Sequence, residues 1–286
     1  MKFYLPDFYY KYDLNIIIID LLKEHPEYFY DNIEIGAVYG CFPGMIWNGG
    51  RLYTGFADYN NIKDTIANFN ERNIPLRFTC TNPLLEEKHV YDTCCNLVLD
   101  LANNGMNEIL VNSPILEEYL RKTYPNYKYI LSTTRCERDI NRINQYTNEY
   151  DLVVTDYRDN NNFTFLDKIE QKNKIELLIN AYCNPACKIR KEHYAAIATA
   201  QLNGALQYDN LSCENMDISF YTILNNYTVI KRDDLYGKYT DMGFKHFKIE
   251  GRAIHNIEVI ESYMYYLIKP EHRDVVRHGI IKRLWH

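Results

Sequence analysis

The side chains with the clearest capacity for chemistry in this sequence are two cysteines, Cys183 and Cys187, directly after the apolar run 175–181. Pro185 between them favours a turn over a helix. A third thiol, Cys213, follows in a polar segment. Thiolates are the ligands of soft metal centres such as iron–sulfur clusters and zinc. The pattern predicts a metal site here, with unliganded thiols as the alternative.

Two basic side chains follow the cysteines at the start of a predicted helix over residues 190–203. Arg190 and His193 are three residues apart, so they share one face of that helix. From there they could donate hydrogen bonds to sulfur or to an anionic ligand at the helix start. If the metal is zinc, His193 is a further candidate ligand beside the cysteines.

A glycine-rich loop, Gly40-Cys41-Phe-Pro-Gly-Met-Ile-Trp-Asn-Gly-Gly50-Arg51, is the third candidate. Its backbone N–H groups and the Arg51 guanidinium could bind a carboxylate or a phosphate. The alternative is a surface turn in which glycines adopt positive φ angles.

Glu250, Arg252 and Lys231 are the candidate catalytic residues near the C-terminus. A carboxylate, a guanidinium and an amine at strand ends could act as an acid or base and as an anion clamp. Glu250 and Arg252 could instead form a structural ion pair that closes the last strand on the first, and Lys231 could serve either role.

The elements that must position these residues alternate along the chain. Apolar β-rich runs recur between amphipathic helical patterns, as in a (β/α)₈ barrel, with a doubly wound open sheet as the alternative. The active sites of such barrels lie at the carboxyl ends of the strands, where most of the candidates fall. The predicted strands are residues 33–40, 74–80, 108–113, 128–133, 151–156, 175–181, 228–233 and 246–250.

Composition narrows the class of protein. A net charge of −6 without a basic block disfavours nucleic-acid binding through a cationic face. No apolar run reaches membrane-spanning length, and residues 15–22 are better explained as a packed helix. No secretion signal is recognised, so we expect a cytoplasmic protein with reduced thiols. We predict one domain over residues 1–286, with a polar insert at about 204–226.

The C-terminal residues also resemble a known family. His246-Phe-Lys-Ile-Glu-Gly-Arg252, preceded by Lys231-Arg-Asp-Asp-Leu235, resembles the signature of the collagenase-like peptidase family U32. The cysteine loop, continued through Arg190 and His193-Tyr194, is similar to that of one branch of the family. The resemblance extends over roughly residues 33–270 and implies a (β/α)₈-type barrel.

That resemblance implies a cofactor and a reaction class. Several members of the branch bind a [4Fe–4S] cluster through four cysteines and support oxygen-independent hydroxylation of RNA bases or ubiquinone precursors. Cys183, Cys187 and Cys213 match their successive loop cysteines. Where those members have a fourth cysteine this chain has Tyr236, so the fourth ligand must come from elsewhere, for example Cys41, Cys80 or Cys136, or be absent.

Three functions follow as hypotheses. The first is an iron–sulfur protein that supports oxygen-independent hydroxylation or a related modification, with an RNA or an anionic small molecule as substrate. The second is a cysteine- or metal-dependent hydrolase, with zinc as the alternative metal. The third is a non-catalytic subunit that works with a second barrel protein, suggested by the missing cysteine.

Overall fold

The strands of this protein form a closed parallel barrel. The computed structural model describes residues 1–209, 211 and 219–285, and in it eight strands pair in chain order, with β8 pairing back onto β1. This confirms the predicted (β/α)₈ architecture. The strands are β1 (Lys2–Pro6), β2 (Glu34–Gly40), β3 (Leu76–Cys80), β4 (Glu108–Val111), β5 (Lys128–Leu131), β6 (Leu152–Val154), β7 (Ile175–Leu178) and β8 (His246–Lys248).

Helices follow the strands and cover the barrel. Those that the structure describes are α1 (Tyr12–Glu24), α2 (Tyr59–Glu71), α3 (Thr93–Leu101), α4 (Pro114–Thr123), α5 (Ile140–Glu149), α6 (Phe163–Asp167), α7 (Arg190–Leu202), α8 (Phe220–Ile223), α9 (Arg232–Asp234), α10 (Asn256–Tyr266) and α11 (Arg273–Trp285). A π-helical turn, Leu235–Tyr239, continues α9.

Local sequence explains where such a helix begins. Ser113 directly follows β4, and its side chain accepts a hydrogen bond from Leu116 N at the start of α4. Pro114 occupies the first turn, where its missing N–H costs nothing. Leu116 and Leu120, four residues apart, are the buried face of the helix.

Strand side chains alternate between the barrel interior and the helix layer. In β8, Phe247 points outward and its ring lies 5.8 Å from that of Phe3. His246 and Lys248 therefore point inward, as two-residue periodicity requires. The interior also holds a small apolar cluster with Tyr4, Ala37, Tyr39, Leu110, Ile130, Leu152 and Val154.

The strand prediction was wrong at two places. Residues 228–233 are not a strand: Ile230 N donates one hydrogen bond to Ile179 O, and α9 begins at Arg232. β7 pairs directly with β8, through Leu177 and Phe247 among others. The missing eighth strand is β1, at the N-terminus, which pairs with both β2 and β8. A short β-branched run resembles a strand locally, but the closure of the barrel leaves no edge for it.

Part of the predicted polar insert lies outside the described residues. Cys213 is among these, so its predicted role as a ligand stays a prediction. The expected packed helix at residues 15–22 is α1, whose residues Leu14, Ile18 and Leu21 are buried. Within the described residues, every helix is too short or too polar to span a membrane.

Candidate functional site at the barrel mouth

A pocket opens at the carboxyl ends of the strands, where the sequence predicted the site. Its wall includes Arg51 from the loop after β2, Thr133 after β5, and Glu250 and Arg252 after β8. Lys248, the last residue of β8, lies deeper in the same pocket. Three of the predicted site residues are therefore brought together, although they are up to two hundred residues apart in the chain.

Glu250 is held by groups on two sides. One carboxylate oxygen accepts a hydrogen bond from Arg51 Nη2, and the other accepts one from Tyr182 N at 3.0 Å. Asn180 accepts a 2.6 Å hydrogen bond from Glu250 N and so fixes its backbone. Glu250 thus pairs with Arg51, not with Arg252 as the structural alternative proposed. This ion pair ties the end of β8 to the glycine-rich loop.

Arg252 joins three segments of the mouth. Its guanidinium donates 2.9 Å hydrogen bonds to Asn48 Oδ1, Thr79 Oγ1 and Gly49 O. It is 8% exposed, so these bonds form largely away from water. Arg252 therefore fixes the glycine-rich loop against β3, which is a positioning role.

The glycine-rich loop is packed inward, contrary to the surface-turn alternative. Most of its residues are buried. A Cβ on Gly49 would lie 2.5 Å from the backbone carbonyl of Thr81, so only glycine permits this approach. Gly251 has the same role on the other side, since a Cβ there would lie 2.4 Å from Pro6 Cγ. The close packing brings Arg51 to the mouth.

A second charged cluster lies beside the pocket, after β6. Arg190, at the start of α7, donates to Asp156 Oδ2 at 2.6 Å and to Thr133 Oγ1 at 3.2 Å. Arg158 forms a bidentate pair with the same carboxylate. Burial opposes the ionisation of Asp156, but hydrogen bonds from Arg158 and the charge of Arg190 outweigh it, so its pKa lies below the usual value. Arg190 was predicted to face sulfur or a ligand, and the structure shows it bound to Asp156.

The floor of the site is a buried charge network inside the barrel. Arg77 donates to Glu108 at 2.7 Å and to Glu176 at 2.5 Å, and its side chain is fully buried. Lys248 Nζ lies 3.5 Å from Glu176 Oε1. Burial lowers the pKa of Lys248 to about 7, since the charge of Glu176 only partly compensates for lost hydration.

The cysteine loop lies at the edge of this mouth. Cys183 and Cys187 are both half-buried, and Cys183 contacts Tyr157. Burial raises the pKa of Cys183 to about 11, so its thiol is protonated at neutral pH. Among the residues that the structure describes, no three histidine, cysteine, aspartate or glutamate side chains are arranged to hold a metal ion.

Two other predicted ligands have different surroundings. Cys41 is 0% exposed within the hydrophobic core, and burial raises its pKa well above the usual thiol value. His193 Nε2 lies 3.3 Å from Tyr208 Oη, and their rings pack at 5.4 Å. Neither residue belongs to a group of three possible metal ligands in the described part of the chain.

Lys231 is not at a strand end, contrary to the prediction. It is the residue before α9, and its carbonyl accepts a hydrogen bond from Leu235 N. The π-helical turn that follows places Tyr236 against Tyr30, with ring centroids 4.4 Å apart. The catalytic role of Lys231 stays a prediction, but Lys231 lacks the strand-end position on which that prediction was based.

Lys248 is the residue of this site that sequence reasoning missed. The signal was available, because Lys248 lies two residues after His246 and two before Glu250 in a predicted strand. Such spacing places its side chain inside the barrel near the carboxyl end.

Comparison with solved structures found one whose fold this chain shares, that of the U32 peptidase Mk0906. The TM-score is 0.55 at 13% sequence identity, over 87% of this chain and 92% of that one. At that identity the likeness shows the fold alone. No protein-family model matches the chain, and no curated protein matches it.

Proposed function

We propose that this chain is a member of the U32 peptidase family, and that it acts as an enzyme on a small carboxylate-bearing molecule bound at the barrel mouth. The fold shared with the U32 peptidase Mk0906 and the signature at residues 246–252 support the family. The excess of positive charge at the barrel mouth supports a carboxylate as the ligand.

The observation that carries the proposal is an excess of cationic side chains around the pocket. Of four guanidinium groups there, three form ion pairs with only two carboxylates within the described residues, those of Glu250 and Asp156, and the fourth donates to neutral acceptors. The guanidinium groups belong to Arg51, Arg158, Arg190 and Arg252. An anionic ligand would balance this charge, and its attraction is strong where water is largely excluded.

Arg51 is the side chain best placed to receive such a ligand. It lines the pocket and is 25% exposed, whereas Arg190 and Arg252 are almost fully buried and bound to protein acceptors. Glu250 accepts from Nη2 and Gly50 O accepts from Nη1 at 2.6 Å, and the remaining N–H groups of the guanidinium are left for a carboxylate. Glu250 therefore orients the Arg51 guanidinium, and Arg51 binds the carboxylate of the ligand.

Binding measurements on Arg51→Gln test this proposal. Pyruvate and acetate are the probes, with acetone as the uncharged comparison, and Arg121→Gln on the outer surface is the matched control. We expect carboxylates to bind and acetone not to bind, with roughly tenfold weaker binding after Arg51→Gln because a charged hydrogen bond is lost. Equal affinity of the Arg51 variant and the wild type would contradict the proposal.

A [4Fe–4S] cluster, used in oxygen-independent hydroxylation, is a second proposal for the same mouth. Its support is the position of Cys183 and Cys187 together at the edge of the pocket. The described residues supply these two thiols and do not complete a site, so the proposal depends on Cys213 and a further ligand. Cys41 is the weakest of the proposed ligands because it is enclosed in the core.

Metal analysis of anaerobically purified protein decides between the cofactors. A cluster predicts about four irons per chain and a brown protein, whereas the zinc alternative predicts one zinc and no colour. Cys183→Ala should lose the metal, while Cys41→Ala should keep it. A metal content that Cys183→Ala leaves unchanged would rule out this loop as the site.

The hydrolase alternative has less support from the described side chains. A cysteine nucleophile requires a thiolate, but the pKa of Cys183 is raised. A nearby histidine base would activate it, but His193 contacts Tyr208.

A further inference from the structure

Lys248 occupies a place in the fold where an amine can meet a bound ligand. It ends β8, and its side chain points into the barrel together with that of His246. It lines the same pocket as Arg51, Glu250 and Arg252. A side chain on a barrel strand is held by backbone pairing on both sides, here to Tyr4 and Leu178, so its position is well defined.

The amine of Lys248 has few partners for a group so deeply buried. The residue is 4% exposed, and Nζ completes no hydrogen bond with any described residue. Its contacts are Glu176 Oε1 at 3.5 Å and the face of the Tyr39 ring at 3.8 Å. A buried ammonium that lacks hydrogen bonds is costly, so the site favours the neutral amine.

Lys11 is a buried lysine with a structural role, and its surroundings differ from those of Lys248. It is 5% exposed, nearly the same as Lys248. Its Nζ donates to Ile254 O at 2.6 Å and to Asn256 Oδ1 at 2.9 Å, and these bonds join the residue before α1 to the start of α10. Lys248 makes no such structural bond and faces a pocket.

We propose that Lys248 is a nucleophile that forms an imine with the carbonyl carbon of a 2-oxo acid bound at the barrel mouth. The amine supplies the carbonyl specificity. The cationic rim supplies the preference for a carboxylate beside that carbonyl, and this half of the inference rests on the proposed function.

The step balances with groups that are present. The Nζ lone pair forms a bond to the carbonyl carbon while the C=O π bond breaks toward oxygen. Glu176 Oε1, 3.5 Å from Nζ, is placed to accept the proton that nitrogen loses and to return it to that oxygen, which gives a carbinolamine. A second proton, from water, protonates the hydroxyl group, which leaves as water while the nitrogen lone pair forms the C=N bond of the iminium. No oxidant or reductant is required.

Reductive trapping tests the inference. The full-length protein is incubated with pyruvate and sodium cyanoborohydride, which reduces an iminium and adds a carboxyethyl group to the lysine. Peptide mapping then locates the label. We expect labelling of Lys248 at least tenfold faster than that of Lys11 or any surface lysine, and none at this position in Lys248→Met. Lys11→Met is the matched control and should be labelled like the wild type.

Mapping of the wild-type protein makes the result independent of whether Lys248→Met folds. Labelling of Lys248 no faster than the other lysines would overturn the inference. If pyruvate binds in an Arg51-dependent way but does not label Lys248, the proposed carboxylate site is supported and the role of Lys248 as a nucleophile is contradicted. If acetone and pyruvate label Lys248 equally, and the wild type and Arg51→Gln are labelled equally, the role of Lys248 as a nucleophile is supported and the proposed carboxylate site is contradicted.

Discussion

The floor and the rim of the barrel mouth use charge in opposite ways. On the floor, Arg77 and Lys248 face Glu108 and Glu176, so basic side chains and carboxylates are equal in number and water is excluded. On the rim, four guanidinium groups face two carboxylates, and those of Arg51 and Arg158 are partly exposed. A balanced buried network fixes geometry, whereas a cationic excess at a pocket attracts a ligand. Lys248 lies between the floor and the rim. It is therefore buried like the floor residues, but it also lines the pocket that the rim surrounds.

The largest effect should come from breaking the floor. Arg77→Met leaves Glu108 and Glu176 without their shared partner in a buried site, and removing one member of such a network costs about 3–5 kcal/mol. Urea unfolding should show this loss in the free energy of unfolding. Lys88→Met removes an ion pair with Glu86 in which both side chains are mostly exposed, and it should cost less than about 0.5 kcal/mol. Similar losses for the two variants would contradict the distinction between floor and surface.

A smaller effect should come from the rim cluster, with a defined pH dependence. Asp156→Asn leaves Arg158 and Arg190 without a carboxylate, and we expect a loss of about 2 kcal/mol at pH 7, as for a charged hydrogen bond. The folded-state pKa of Asp156 is lowered, so its contribution is complete above the unfolded pKa of about 4 and disappears as the pH falls below it.

Unfolding of the wild type and Asp156→Asn over a pH series measures this dependence. The difference in stability should shrink from pH 5 downwards, toward the lowered pKa. A difference that stays constant down to pH 2 would show that the carboxylate charge is not its source.

The smallest effect on stability should come from the cysteine loop. Cys183 is half-buried at the edge of the mouth, so Cys183→Ser should change the free energy of unfolding of the metal-free protein by less than about 1 kcal/mol. The same substitution should abolish metal binding if the loop is a ligand site. A large loss of stability without any change in metal content would assign the loop a structural role instead.

The sequence by itself determined the barrel and the place of its mouth. Alternating β-rich and helical runs predicted eight βα units, and Glu250, Arg252 and Arg51 were placed at the mouth from their positions after strands. These predictions succeed because two-residue periodicity and turn residues are local properties. The strand predicted at residues 228–233 was wrong for the same reason. Its β-branched residues are typical of a strand locally, but the barrel is closed by the pairing of β1 with β8, which depends on residues far apart in the chain.

Only the tertiary structure decided which charged groups meet. Lys231 and Lys248 both fall in predicted strands, yet one precedes a helical turn and the other faces a pocket without hydrogen bonds. The partner of Glu250 is likewise Arg51, 199 residues away, and not Arg252, two residues away. Burial and neighbouring charge set the pKa of a side chain, and both depend on which strands the barrel brings together.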